Sequence, residues 1–168
     1  FALTHVRLLD DDGREVRRGE VGELHSRSPY LFNGYWNNPG ETAACLKDGW
    51  VTAGDLARQD DDGYCYIVDR KKDMVVTGGF NVYPREIEEV LHAHPAVHEA
   101  AVIGRPDDYF GEALRAFVVF RKGMEASAAD LEAHCRTQLA GYKVPKEFLP
   151  IAALPRNTGG KVLKTALR

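Results

Sequence analysis

The sequence predicts an α+β protein with a small antiparallel β subdomain followed by a compact α+β domain in which helices pack on a sheet. Three observations support this fold class. Short apolar stretches alternate with turn residues near the start of the chain, alternating charges follow at residues 69–73, and helical spacing of apolar residues becomes clear only after them. The later elements have the order α-β-β-α-β, which fits a compact domain. We therefore predict a β subdomain over residues 1–68, a hinge over residues 69–73 and an α+β domain over residues 74–168.

The composition is that of an ordinary globular protein. The chain has 168 residues, of which 44% are hydrophobic, and a formal net charge of −3. This length can bury a core, and the near balance of charge gives no reason to expect a nucleic acid as partner. No apolar run reaches the roughly 18 residues that span a bilayer, so we expect no membrane span and a cytoplasmic location. The chain does not begin with Met, and we expect a further segment upstream of it.

The β subdomain is predicted from apolar segments that alternate with turn-forming ones. Asp-Asp-Asp-Gly occurs at residues 10–13 and again at residues 60–63, and each copy favours a turn between strands. Residues 39–46 are long enough for about two helical turns. The strand-like stretches are residues 5–9, 21–24, 31–36 and 64–68, with strand and loop over residues 49–62.

The second domain is predicted from helical spacing and capping residues. Pro84 at a first helical position, with Ile87, Val90 and Leu91 on one stripe, indicates a helix over residues 84–93. Ser127 is expected to cap a second helix, which ends before a glycine and carries one apolar face, formed by Leu131, Cys135 and Leu139. Apolar and β-branched stretches predict strands at residues 97–103, 113–120 and 148–152.

The sequence gives no sign of a disulfide framework, a metal site or a hydrolase. Its three cysteines, Cys45, Cys65 and Cys135, are far apart, so we expect core residues or free thiols. Three histidines within residues 92–98 lack a carboxylate pattern that would complete a site, and no metal site is predicted. No Gly-x-Ser-x-Gly elbow is present, which weakens a hydrolase interpretation.

Two charged residues follow glycines and are candidates for ligand contact. Asp55 comes after Gly54, and a lone carboxylate there can accept two hydrogen bonds from a sugar diol. Lys161 follows Gly159 and Gly160, which form a mobile turn that presents a compact positive charge to a phosphate or carboxylate. The alternatives are a capping or turn-forming aspartate and an ordinary glycine turn with a surface lysine.

A third candidate region combines a charged run with a glycine pair. The charges of residues 69–73 precede Val75 and Val76, and then Gly78 and Gly79 would let a narrow ligand lie close to the backbone. The alternative interpretation is a solvated charged loop followed by a β-bulge.

In this order and at this spacing, the three regions resemble the carboxy-terminal third of the adenylate-forming (AMP-binding) superfamily, and in particular its acyl-CoA synthetases, the acid–CoA ligases. The superfamily also includes peptide-synthetase adenylation domains and firefly luciferase. The most specific match is DRKKDMVVTGGFNVYP, which begins at Asp69. The resemblance covers essentially the whole chain, with further matches at residues 19–24, 34–36, 41–42, 49–56 and 155–161.

The resemblance implies a ligase that works in two steps. A carboxylate attacks the α-phosphate of ATP to give an acyl adenylate and pyrophosphate, and the thiol of CoA then displaces AMP to form the thioester. ATP with Mg²⁺, CoA and a small-molecule carboxylic acid would be the substrates of the complete enzyme. Because the resemblance places an amino-terminal domain outside this chain, we expect the chain alone to be inactive and to hold none of these molecules tightly.

The resemblance also assigns roles to single residues. Lys161 occupies the position of the catalytic cation, Asp55 and Arg70 occupy nucleotide-binding positions, and Lys72 occupies the hinge position. In the family, the small domain rotates between the two half-reactions. Its rotation would bring up a strand that lines the tunnel for the pantetheine arm of CoA, formed here by Thr77, Gly78, Gly79 and Phe80.

Three positions depart from the family pattern. Ala53 replaces a usual Thr and Val51 replaces a residue that is often bulkier, so the nucleotide-facing loop is expected to make fewer side-chain contacts. Val76 stands where luciferase-like relatives carry a Lys for their second half-reaction. The absence of this Lys argues against a light-producing oxygenase.

Two alternative functions stay open at this point. The first is an adenylation unit that loads a carrier protein, with the same tunnel accepting a tethered pantetheine. Basic residues at the tunnel mouth, such as Arg105 or Lys143, would suit the phosphates of free CoA, whereas an apolar patch would suit a carrier. The second is a non-catalytic binding module.

Overall fold

The computed structural model describes residues 3–168, and Phe1 and Ala2 lie outside the described residues. The chain forms two compact units, Phe1–Lys72 and Asp73–Arg168. Each unit contains one five-stranded sheet, and the predicted α+β class is confirmed. Across residues 3–168, every helix is too short or too polar to cross a membrane.

The first unit is an antiparallel sheet with one short helix. Its strands have the order β1-β2-β4-β3, and β5 pairs with β4. Asn38 caps the helix by accepting the Glu41 amide, and Pro39 follows at the first position, where a missing N–H costs nothing. The elements are β1 (His5–Leu9), β2 (Val21–Arg27), α1 (Pro39–Cys45), β3 (Leu46–Lys47), β4 (Trp50–Gln59) and β5 (Cys65–Arg70).

The strand predicted at residues 31–36 is wrong, because this segment is an irregular loop. Gly34 has a φ of +135°, which a strand does not use. The Tyr35 amide donates to Thr42 Oγ1 of α1 at 2.9 Å instead of joining a ladder. Apolar composition alone therefore misidentified a loop that is held by a helix side chain.

The second unit is a mixed sheet with two helices. β9 lies in its interior and pairs antiparallel with β8 and β6 and parallel with β10, while β7 pairs with β6. The parallel pairing requires a crossover, which α3 provides. The elements are β6 (Val75–Thr77), β7 (Phe80–Val82), α2 (Pro84–His92), β8 (Val97–Asp107), β9 (Gly111–Phe120), α3 (Ala128–Arg136) and β10 (Glu147–Pro150).

The glycine pair forms a hairpin turn, so the β-bulge interpretation is wrong. Gly78 and Gly79 have φ values of +56° and +83° and join β6 directly to β7. Two consecutive positive φ angles are typical of the two-residue turns that match the twist of a hairpin.

The two predicted helices are confirmed, and their apolar faces build the core of the second unit. Ser127 and Asp130 form a capping box at the start of α3. The helix ends at Arg136, one turn earlier than the apolar spacing suggested, although Leu139 beyond it is still buried. Burial raises the pKa of the Cys135 thiol to about 11, which makes it an inert core residue. The largest buried side chains of this core include Ile87, Leu91, Leu114 and Leu131.

Candidate functional site

The glycine-flanked carboxylate lies in the first unit, where β4 pairs with β5. Asp55 is in register with Arg70, and Arg70 Nε lies 2.9 Å from Asp55 Oδ1. Arg70 Nη2 also donates to the carbonyl oxygen of Ala53 at 2.8 Å. The guanidinium thereby spans Gly54, whose φ of +73° lies in the left-handed region. The structure brings together the two residues to which the family resemblance gives nucleotide-binding positions.

Asp55 keeps an oxygen for a further partner. Within residues 3–168, its carboxylate makes no side-chain interaction except the ion pair with Arg70. Both side chains are partly exposed. An ionised carboxylate accepts several hydrogen bonds, so Oδ2 is available to a hydroxyl group while Oδ1 is held.

Thr52 and Glu23 support this loop, and sequence reasoning missed both. Thr52 Oγ1 accepts the Gly54 amide at 3.0 Å and donates to Glu23 Oε1 at 2.7 Å. Lys71 Nζ lies 3.0 Å from Glu23 Oε2. Burial raises the pKa of Glu23, but the hydrogen bonds from Thr52 and Lys71 outweigh it and keep the pKa below its ordinary value. Glu23 belongs to a stretch that matched the family, but only the pairing of β2 with β4 brings it to Thr52.

The predicted hinge residue lies at the end of the first unit. Lys72 is exposed and is the middle residue of a short 3₁₀ turn, Lys71–Asp73, that follows β5. The division between the two units falls directly after it. Lys72 is therefore the last residue of the first compact unit.

The hairpin predicted to line a tunnel borders a cavity in the second unit. The cavity has a volume of about 430 Å³, and Thr77, Gly78 and Phe80 are among its lining residues. Thr77 is buried and pairs with β9, whereas Phe80 is 54% exposed. The Phe80 ring stacks on Tyr142 with centroids 4.5 Å apart. The hairpin thus offers a backbone turn and an exposed pair of aromatic rings to one concave surface.

The charges at this cavity differ from the expectation. Arg105 lies 2.8 Å from Glu147 and Lys143 lies 2.7 Å from Glu86, and neither cation lines the cavity. Lys146 does line it, and its Nζ lies 3.9 Å from the centroid of the Phe110 ring and 3.2 Å from Asp107 Oδ2. Sequence reasoning missed Lys146 because nothing local distinguishes it from other surface lysines.

Lys161 follows a tight turn near the end of the chain. The Asn157 amide donates to the Lys161 carbonyl oxygen at 2.9 Å, and the Lys161 amide donates to Asn157 Oδ1, also at 2.9 Å. Gly160 has a φ of +80°, which closes the turn. Lys161 is exposed, and its ammonium group has no ion pair within residues 3–168. The turn therefore presents an uncompensated positive charge.

The hairpin turn allows a direct test of backbone strain. A Cβ atom at Gly79 would meet no atom within 4 Å, so the expected cost of substitution comes from its φ of +83°. We expect Gly79→Val to destabilise the second unit by about 1–3 kcal/mol. Gly79→Asn should cost clearly less, because Asn tolerates the left-handed region.

Urea unfolding followed by far-ultraviolet circular dichroism and by hydrogen exchange of β6 and β7 would measure this cost. Trp36 and Trp50 both lie in the first unit, so tryptophan fluorescence serves as an internal control that should not change. Equal stability of the Val and Asn variants would contradict the strain argument.

The matches to known proteins define the class. Residues 86–161 match the family model of the AMP-binding enzyme C-terminal domain, a segment that begins on α2 and ends at Lys161. The chain belongs to the AMP-binding superfamily of adenylate-forming enzymes, as the resemblance of its motifs predicted.

Within the superfamily, similar proteins include CoA ligases. A medium/long-chain-fatty-acid–CoA ligase of Mycobacterium tuberculosis is 47% identical over 173 residues. The crystal structure of ATP-bound MatB from Rhodopseudomonas palustris superposes with a TM-score of 0.90 at 43% identity, over 98% of this chain. The o-succinylbenzoate CoA synthetase of Bacillus subtilis, in complex with its acyl-adenylate intermediate, superposes with a TM-score of 0.94 at 35% identity, over 99% of this chain.

The match is nearly complete for this chain but partial for its relatives. It covers 99% of this chain and 30% of the M. tuberculosis ligase. It covers 33% of the MatB chain and 34% of the B. subtilis synthetase chain. The chain thus spans about a third of the length of these relatives.

Proposed function

We propose that this chain is the carboxy-terminal part of an ATP-dependent acyl-CoA ligase, which converts a carboxylic acid and ATP to an acyl adenylate and then to a thioester of CoA. The observation that carries the proposal is the exposed ammonium group of Lys161, which has no ion pair within residues 3–168 and follows a closed turn at the end of the matched domain. The names of the similar CoA ligases and synthetase support the choice of reaction.

In the first half-reaction, Lys161 supplies positive charge where two anions meet. A carboxylate and a triphosphate repel each other as they approach, and the transition state gathers negative charge on the transferred group. A lysine that contacts both groups stabilises that charge and aligns the reactants. A long flexible side chain on an exposed turn can reach a ligand that the turn itself does not touch.

The nucleotide would be held by Asp55 and Arg70. We assign the ribose hydroxyl groups to Asp55, since one carboxylate oxygen is held by Arg70 and the other is available. Arg70 fixes the carboxylate and can reach a ribose or phosphate oxygen with its remaining N–H groups. Thr52 Oγ1, which accepts the Gly54 amide and donates to Glu23, keeps the loop in shape although Ala53 brings no hydroxyl group.

In the second half-reaction, we assign the thiol arm to the β6–β7 hairpin. The glycine pair lets the thin pantetheine chain pass close to the backbone. The adjoining cavity offers the rings of Phe80 and Tyr142 as a stacking surface to the nucleotide end of CoA. Lys146, which is paired with Asp107, is the cation that would exchange this partner for a phosphate of CoA. We further propose that the small domain rotates about Lys72 between the two half-reactions.

Mg²⁺ enters this scheme with ATP. Within residues 3–168, no three His, Cys, Asp or Glu side chains are grouped so that they could hold a metal ion. The described residues do not fit a resident metal centre, and no step is assigned to one.

We infer a cytoplasmic location for the complete enzyme.

Mass spectrometry of the reaction products would test the proposed function. The full-length parent enzyme is incubated with ATP, Mg²⁺ and a panel of carboxylic acids, with and without CoA. We expect acyl adenylate without CoA and acyl-CoA with it. The isolated chain of 168 residues is the control, and we expect it to form neither product.

Other outcomes of that experiment identify the alternatives. An acyl adenylate that CoA does not consume, but that a phosphopantetheinylated carrier protein does, would replace the CoA ligase with a carrier-loading enzyme. Absence of both products across the panel, with no thermal shift on addition of ATP, would favour a non-catalytic binding module.

A further inference from the structure

The turn before Lys161 has no apolar anchor. All six residues from Arg156 to Lys161 are exposed, and the nearest buried residue before them is Leu154. Hydrophobic burial therefore cannot set the direction of this turn. Its own hydrogen bonds close it, but they do not tie it to the sheet, so its orientation depends on longer-range polar contacts.

Arg156 makes one contact within the turn and one contact to the sheet. Its Nη1 donates to the carbonyl oxygen of Gly160 at 2.6 Å, and its Nη2 forms an ion pair with Glu99 of β8. The side chain of Glu99 is 28% exposed and projects from a long strand of the sheet. One planar guanidinium group therefore joins the residue before Lys161 to the rigid part of the domain.

A second ion pair fixes the chain on the other side of Lys161. Lys164 Nζ lies 2.7 Å from Glu88 Oε1 of α2, and both side chains are largely buried. The same carboxylate oxygen accepts the Val102 amide of β8 at 2.7 Å. The chain is thus attached to the domain core both before and after Lys161, and Arg156 is the residue of the turn that makes the attachment before it.

We propose that Arg156, held by Glu99, is a positioning residue for Lys161 in adenylate formation. This inference rests on the proposed function of Lys161. A catalytic group must be held to within about 0.5 Å of its productive position, and a displacement of about 1 Å can lower a rate by about 100-fold. Arg suits this task because its donors have a fixed geometry, whereas a Lys offers one flexible point charge.

The experiment measures the two half-reactions separately in the full-length parent enzyme. Adenylate formation is followed by pyrophosphate release, and thioester formation is followed from supplied acyl adenylate and CoA. We expect Arg156→Ala to lower kcat for adenylate formation by about 10- to 100-fold, with KM for ATP changed by less than about threefold. Thioester formation should be unchanged, because Lys161 takes no part in it.

Three further variants separate positioning from a general structural role. Arg156→Lys should restore only part of the rate, since one ammonium group cannot replace both contacts. Glu99→Gln should fall between wild type and Arg156→Ala. Arg85→Ala, which removes an exposed Arg–Glu pair on α2, is the matched control and should leave both half-reactions unchanged.

The outcomes distinguish this inference from the proposed function. If Lys161→Ala abolishes adenylate formation while Arg156→Ala leaves it at the wild-type rate, the positioning role is wrong and the proposed function stands. Equal losses in both half-reactions, together with a lower melting temperature, would also overturn the positioning role. If Lys161→Ala itself has no effect on adenylate formation, the proposed catalytic role of Lys161 in that step is wrong and this inference fails with it, whereas absence of acyl adenylate and acyl-CoA from the wild-type enzyme would overturn the proposed function.

Discussion

Replacing Lys161 with Ala in the full-length parent enzyme should lower the rate of adenylate formation by about 30- to 1,000-fold, or roughly 2–4 kcal/mol of transition-state stabilisation. The expected loss is large because no other described cation shares the exposed turn and is free to replace the charge. Arg156 is paired with Glu99, and Lys164 is paired with Glu88. The substitution leaves the turn closed, since its hydrogen bonds use the backbone and Asn157.

The measurement is again made on each half-reaction. Thioester formation from supplied acyl adenylate should proceed at the wild-type rate in Lys161→Ala. Lys122→Ala removes another exposed lysine from a loop of the same unit and should change neither rate. Normal adenylate formation combined with a loss of thioester formation would show that Lys161 serves the second half-reaction instead.

Replacing Ile87 with Ala should destabilise the second unit by about 2–5 kcal/mol. Ile87 lies on the inner face of α2, has no exposed surface and belongs to the main apolar cluster of this unit. Truncation removes its transfer free energy and leaves a cavity that the strands behind it can fill only in part. Urea unfolding followed by circular dichroism, with hydrogen exchange of α2 and β8, would measure the loss.

Two variants on the same helix act as controls for this prediction. Ile87→Val removes a single methylene group and should cost only about 0.5–1.5 kcal/mol. His92→Ala changes an exposed residue and should remain within about 0.5 kcal/mol of the wild type. A loss at Ile87 no larger than that at His92 would contradict the assignment of α2 to the core.

Local signals predicted most elements of the second unit correctly. Proline at the start of α2 and the Ser127 capping box act within one helical turn, so they can be recognised without knowledge of the fold. β8 was recognised but predicted too short, because its final residues join the ladder through their pairing with β9. The loop at residues 31–36 was predicted wrongly for a related reason, since the partner of its backbone is a side chain of α1.

Some residues of the candidate site could likewise be predicted from local sequence, and others could not. Glycines next to Asp55 and Lys161 identified these residues, and the family motif added Arg70, Lys72 and the residues of the hairpin. Glu23 and Thr52 were missed because they meet only when β2 pairs with β4. Lys146 was missed because its position at the cavity depends on how the chain after α3 returns to the sheet.

By itself, the sequence determined the α+β class, the starts of the two longer helices and the superfamily, because capping, helical spacing and motif residues act over short stretches of chain. Only the tertiary structure decided that the glycine pair is a hairpin turn, that Arg70 holds Asp55 and that Arg156 joins the Lys161 turn to Glu99. These three features are contacts between strands or between a turn and a strand. Their partners are selected by strand register and chain topology, which are properties of the folded sheet and not of any local segment.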